Sequence, residues 1–182
     1  MKVLAFCGSP RQHGNTRTLV DEMARGIVEA GAECEIVDVG IMDIAPCTAC
    51  EGCHRTGVCV VDDDMTPLYD KIDNADAFVF ASPVYFWGPS AQFKAFLDRW
   101  FAIVHGPAGD RLNGKKAAVV AAFGDDDPAT ARHLIGMLET AFSYLGLESA
   151  GSLGVTADKL GEAKANTEAL KEAFAFGQSL VD

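Results

Sequence analysis

A chain of 182 residues, 49% hydrophobic and 23% charged, has the size and composition of one soluble globular domain with a two-sided core. Its formal charge of -11 repels nucleic-acid phosphates and anionic lipid, and its 15 Lys and Arg form no stripe, so neither is an expected partner. No apolar run nears the length of a membrane helix, and the segment after Lys2 turns polar too early for a secretory signal, so the cytoplasm is the expected location.

In chain order, Lys2 to Cys7 reads as a buried strand that ends at a turn beginning Gly8-Ser9-Pro10. A helix follows, with Asn15 or Thr16 expected as N-cap and Leu19, Met23 and Ile27 spaced by four. Glu33 to Val39 reads as the second strand, and Met42 to Asp63 as an irregular segment that carries cysteines. Met65, Leu68, Tyr69 and Ile72 mark a short helix, and Ala75 to Ser82 the third strand. From Phe93 through Phe96, Leu97, Trp100 and Phe101 to Val104 the apolar face of one continuous helix is expected. Lys115 to Phe123 gives the fourth strand and Leu134 to Leu145 a helix. Ser149 to Val155 gives the last strand, and Ala163, Thr167, Leu170, Phe174 and Gly177 mark the face of a closing helix. Strands and helices alternate and the strands are nearly continuous apolar runs, so the expected fold is a single α/β domain around a doubly wound, five-stranded parallel sheet.

The first strand–helix junction, Gly8-Ser9-Pro10-Arg11-Gln12-His13-Gly14-Asn15-Thr16, is rich in small and hydroxyl residues. Folded over a helix N-terminus, it would offer backbone N–H groups and hydroxyls to an anion; as a bare turn it would only start the helix. It matches neither the dinucleotide G-x-G-x-x-G pattern nor a Walker A loop. In the second loop, Tyr85, Phe86 and Trp87 follow one another. They suit stacking on a flat ring, or else a hydrophobic lid or subunit contact.

Gly8-Ser9-Pro10-Arg11 with Gly14-Asn15-Thr16 resembles the phosphate loop of the NADPH-dependent FMN reductase family. Ser82-Pro83-Val84-Tyr85-Phe86-Trp87-Gly88-Pro89-Ser90 resembles its second flavin loop, and Lys94 through Asp98-Arg99 the helix after it. The resemblance runs in order through nearly the whole chain. It implies a flavodoxin-like sheet of order 2-1-3-4-5 that binds FMN. A single phosphate loop with no adenine-binding second half favours FMN over FAD. Ser9, Arg11, Asn15 and Thr16 would hold the ribityl phosphate, Pro83, Val84, Tyr85 and Phe86 would line the isoalloxazine, and Gly124 would close the site. Where the family usually has a further glycine and a small polar group, this chain has Asp125-Asp126-Asp127.

Cys47, Cys50, Cys53 and Cys59 form C-x2-C-x2-C-x5-C, four thiols close enough in sequence to converge on one inorganic centre. A zinc site, with His54 able to replace a thiol, a redox disulfide and an empty set also fit these residues. The spacing, together with Asp62-Asp63-Asp64-Met65, resembles the iron–sulfur flavoprotein branch of the same family, which implies a 4Fe–4S cluster. Cys7 and Cys34 read as small core residues.

The expected function is that of an FMN-dependent oxidoreductase in which a cluster passes single electrons to or from the flavin, with NAD(P)H or a small redox protein as donor. The alternatives are a flavin or quinone reductase without a cluster, and a small electron carrier or zinc-stabilised binding module. A homodimer or homotetramer is expected, because the aromatic loop and the Phe- and Trp-rich helix after it would offer apolar surface beyond what a flavin covers.

Overall fold

The computed structural model describes residues 1–106 and 109–181. Strands β1 (Lys2–Cys7), β2 (Glu33–Val37), β3 (Ala77–Pro83), β4 (Lys116–Phe123) and β5 (Glu148–Thr156) form one parallel sheet of order β2-β1-β3-β4-β5. This is the expected flavodoxin-like order. Helices α1 (Asn15–Glu29), α6 (Glu162–Ala165) and α7 (Thr167–Val181) cover one face. The other carries α2 (Thr66–Asp73), α3 (Ala91–Asp98), α4 (Phe101–His105) and α5 (Arg132–Leu145). Among the described residues no helix is long and apolar enough to cross a membrane.

Strand periodicity divides the core by side-chain size. Leu4, Phe6, Phe78 and Phe80 point to the α2–α5 face, where Phe93, Phe96, Trp100 and Phe142 join them. Phe6 meets Phe96 at 4.7 Å between ring centroids, and Phe80 meets Phe142 at 5.0 Å. Such tilted aromatic pairs add to the burial of each ring. The opposite face is built from Val3, Ala5, Ala77, Val79, Ala81, Ala118 and Val120, so its helices lie close to the sheet.

Three expectations change. The single helix over Phe93 to Val104 is two, α3 and α4, broken at Arg99 and Trp100. There the backbone bonds tighten to i→i−3, from Arg99 N–H to the Phe96 carbonyl and from Trp100 N–H to that of Leu97. Its aromatic face is not spare surface: Phe93, Phe96 and Trp100 are buried in the chain's own core, which removes that argument for a partner. Finally, α7 does not bury Leu170 and Phe174, both half-buried, but Ala169, Ala173, Gly177 and Leu180.

The reason lies in the α1–α7 contact. A methyl group on Gly26 of α1 would overlap the Phe174 carbonyl, and one on Gly177 would overlap the Met23 carbonyl. The two helices therefore touch backbone to backbone, and only a face of small residues permits it. Gly26→Ala and Gly177→Ala are each expected to destabilise the protein by about 1–3 kcal/mol through overpacking, despite the higher helix propensity of alanine. A urea midpoint for either variant at or above that of the parent would contradict this packing.

Candidate functional site

The connection from β1 to α1 crosses the carboxyl edge of the sheet. The first α1 bond runs from Thr18 N–H to the Gly14 carbonyl, so Asn15, Thr16 and Arg17 have N–H groups with no acceptor inside the helix. The Ser9 hydroxyl holds the turn, accepting from Arg11 N–H and facing the Arg11 carbonyl, both at 3.2 Å. Ser9 and Thr16 are buried, while Arg11 is exposed at the rim. Arg17 is committed elsewhere, to Asp21 and Asp38, each at 2.7 Å.

Asn15 is not the side-chain N-cap. Gly14 occupies that position, and the Asn15 amide ties the loop after β5 instead. Its Nδ2 donates to the carbonyls of Ala157 at 3.0 Å and Lys159 at 2.9 Å, and its Oδ1 accepts from the N–H groups of Gly161 and Ala163. Only the Asn15 backbone N–H remains for an anion.

The second loop is locked to the first by buried hydroxyls. Ser90 Oγ donates to the Gly8 carbonyl at 2.6 Å and accepts from Phe93 N–H, capping α3. Ser82 Oγ accepts from Ser90 N–H at 3.0 Å. Between these anchors Tyr85 and Gly88 exchange two backbone bonds across a tight turn, with Phe86 and Trp87 in the left-handed region at φ 48° and 62°. For two aromatic residues that conformation costs about 1–3 kcal/mol each. It sets Phe86, 96% exposed, at the tip, edge-to-face on Trp87.

These loops, with those after β4 and β5, enclose two adjoining lobes. One, of about 280 Å³, is lined by Ser9, Arg11, Asn15, Thr16, Pro83, Val84, Tyr85 and Gly124, with Asp158 opposite. The other, of about 300 Å³, is lined by Val84, Phe86, Trp87, Phe123, Gly124, Asp125 and Thr130. All nine residues expected at a cofactor site thus face one continuous cleft, polar at the helix N-terminus and aromatic at the far end. Asp158 and Thr130 line it as well, and in the sequence only their places after β5 and β4 point to them. Two of the three third-loop aspartates have local partners, since Asp125 accepts from Asp127 N–H and Asp127 from Ala129 N–H, both at 2.9 Å.

The cysteine loop leaves β2 at the same edge, beside the first loop: Gly40 N–H donates to the Cys7 carbonyl, and a methyl group on Gly40 would overlap the Ser9 backbone. Its neck is closed by carboxylates, Asp64 accepting from Asp43 N–H at 2.8 Å and Asp63 from Ala45 N–H at 3.0 Å. The fully buried Arg99 crosses this neck. Its Nη1 donates to Asp63 at 2.6 Å and to the Ala45 carbonyl at 2.9 Å, and its Nη2 donates to Asp63 and to the Val61 carbonyl at 3.2 Å. Burial would raise the Asp63 carboxyl, but the guanidinium and the N–H groups of Ala45 and Met65 hold it below its ordinary value.

Within the loop, Cys53 is buried in a 3-10 turn and Cys59 is half-buried, two residues before the Val61 carbonyl that Arg99 holds. Cys47 and Cys50 are exposed, and Ala49 N–H points at Cys47 Sγ at 3.4 Å. Burial pushes the Cys53 thiol up, and Cys59, Cys50 and Cys47 lie near enough to add to the effect. The chemistry of this donor set, four free thiols on one loop, fits iron–sulfur ligation. Among the described residues no three His, Cys, Asp or Glu side chains are drawn together closely enough to hold one metal ion. Cys7 and Cys34 are also free, each pushed up to about 11 by burial, as suits core thiols.

Residues 1–158 match the family described as NADPH-dependent FMN reductase. An iron-sulfur flavoprotein of Archaeoglobus fulgidus is 30% identical over 183 residues, covering 100% of this chain and 80% of the relative. One from Methanocaldococcus jannaschii is 41% identical over 99 residues, 54% of this chain, and the match spans about half (51%) of that relative's length. Among solved structures, an NAD(P)H:quinone oxidoreductase from Methanothermobacter marburgensis shares the fold with a TM-score of 0.79 at 20% identity, over 99% of this chain and 96% of that one.

The cleft generates a direct test. Thr16→Glu puts a carboxylate beside the free α1 N–H groups and should abolish FMN retention. Asn15→Ala, which cuts the tie to the β5 loop, should lower stability by about 0.5–1.5 kcal/mol through lost hydrogen bonds, with FMN retained in the folded fraction. Flavin retained by Thr16→Glu at parental stoichiometry would sink the assignment of this lobe.

Proposed function

Because the chain belongs to the NADPH-dependent FMN reductase family, in its iron–sulfur flavoprotein branch, we propose that it is an FMN-dependent oxidoreductase that exchanges electrons between a flavin and a four-cysteine iron–sulfur centre. Membership supports FMN as the cofactor and a nicotinamide as electron donor. The single observation that carries the reading is the two-lobed cleft, whose polar lobe has the shape and donors for a phosphate and whose aromatic lobe suits a flat ring.

In this reading the N–H groups of Asn15, Thr16 and Arg17, the Ser9 and Thr16 hydroxyls and the Arg11 guanidinium hold the phosphate. Val84, Tyr85 and Phe86 flank the ring, and the strained Phe86–Trp87 turn places apolar surface where water must be kept from it. FMN, when bound, supplies two-electron chemistry, and a cluster supplies one-electron chemistry. The chain's part is to bind, orient and shield them. Cys47, Cys50, Cys53 and Cys59 would hold the cluster, Cys53 and Cys59 from the anchored half of the loop and Cys47 and Cys50 from its exposed half.

The exposure of Cys47 and Cys50 favours a second reading, a flavin or quinone reductase whose cysteines hold nothing. A homo-oligomer remains part of the proposal on the strength of the exposed Tyr85, Phe86 and Trp87 at the cleft mouth.

Anaerobically purified protein should carry FMN, iron and acid-labile sulfide, with flavin bleached on adding NADPH or NADH. Changing any one of the four cysteines to serine should remove most of the iron and leave the flavin in place, since an incomplete thiolate shell exposes iron to solvent. Stoichiometric zinc, or full iron in the single variants, would exclude the cluster; bleaching in a metal-free protein would favour the second reading.

A further inference from the structure

Arg99 is placed unlike any other cation of the chain. It stands at the break between α3 and α4, its side chain is fully inaccessible, and it spends both terminal nitrogens on the neck of the cysteine loop, at Ala45, Val61 and Asp63. Its third donor, Nε, is buried and has no partner among the described residues. An unpaired buried N–H costs about 1–3 kcal/mol and calls for an acceptor. Two of the carbonyls that Arg99 holds, those of Ala45 and Val61, each stand two positions from a cysteine of the set, Cys47 and Cys59, and the Tyr69 hydroxyl donates to the Arg99 carbonyl at 3.1 Å. On the far side, the loop is seated at Gly57, which packs against Gly106 at the end of α4 so closely that a methyl group on Gly106 would overlap it.

We propose that Arg99 is a positioning residue for the four-cysteine centre, whose fork fixes the loop's neck two residues from Cys47 and from Cys59 and whose buried positive charge there favours the reduced form of a cluster held by the loop. The proposal rests on the cluster reading of the loop. Reduction adds one negative charge to a centre that already carries four thiolates. A fixed cation at close range in a water-poor site stabilises that state and raises the reduction potential. Lysine can supply the charge but not a planar fork that spans acceptors on three residues, so the two parts of the role separate by substitution.

The test uses the full chain, reconstituted anaerobically with ferrous iron and sulfide, and reads iron content, the cluster's midpoint potential in a dithionite titration, and retained FMN. Arg99→Gln should lose iron several-fold and shift the midpoint of the remaining cluster downward, with FMN kept. Arg99→Lys should recover the midpoint more than the loading. Asp63→Asn, which weakens the fork and leaves the charge, should lower loading with the midpoint at or above the parental value, and it decides the matter if Arg99→Gln does not fold. Parental loading and an unmoved midpoint in Arg99→Gln, or in Asp63→Asn parental loading or a lowered midpoint, would overturn the role of Arg99 alone. A parent chain that takes up no iron would overturn the cluster reading itself.

Discussion

All five strands of the sheet run parallel, so every connection that follows a strand leaves from the same edge. That constraint gathers the first loop, the cysteine loop, the Tyr85–Gly88 turn, the third loop and the loop after β5 in one place, although they come from all parts of the chain. Around the cleft the edge is stapled by polar contacts, not by apolar packing. Ser90 joins the second loop to Gly8, and Asn15 joins α1 to residues 157–163 across more than 140 positions. Such bonds fix loops at an edge where little apolar burial is available.

The core beneath this edge has an asymmetry that serves it. The α1–α7 face is thin, built of alanine, valine and glycine, and lets α1 sit close to the sheet with its N-terminus aimed into the cleft. The α2–α5 face is thick with aromatics, and its rigidity supports the buried ion pair of Arg99 and Asp63. Breaking such a pair by removing one partner costs about 3–5 kcal/mol, because the other charge is left stranded. Replacing both by apolar residues would cost far less, so stability alone is a weak reason for this pair to exist. Its position at the neck of the cysteine loop is a better one.

Local pattern made most of the fold legible, and long-range contacts account for what it hid. The apolar runs at Lys2–Cys7 and Lys116–Phe123 are unambiguous because both faces of those strands are buried. The helix break at Arg99 leaves no trace in the periodicity, which continues from Phe93 to Val104; at the break Arg99 pairs with a carboxylate 36 positions away. Asn15 has the right identity and place for a cap, yet backbone groups from the far end of the chain claim its side chain. In α7 the bulky Leu170 and Phe174 dominate the pattern, but the helix turns toward its small residues because the α1 backbone is so near. At the cleft, the nine expected residues do converge. The left-handed Phe86–Trp87 turn was hidden, since nothing in two aromatics announces a positive φ.

In the proposed function one sheet edge couples a flavin to a four-cysteine centre. The most direct measurement is an anaerobic titration of the intact protein with NADPH or NADH, followed together by flavin absorbance and low-temperature EPR. The account predicts that flavin bleaching is accompanied by the signal of a reduced four-iron cluster, in proportion to the iron bound. A flavin that bleaches fully while the bound iron stays oxidised would contradict it.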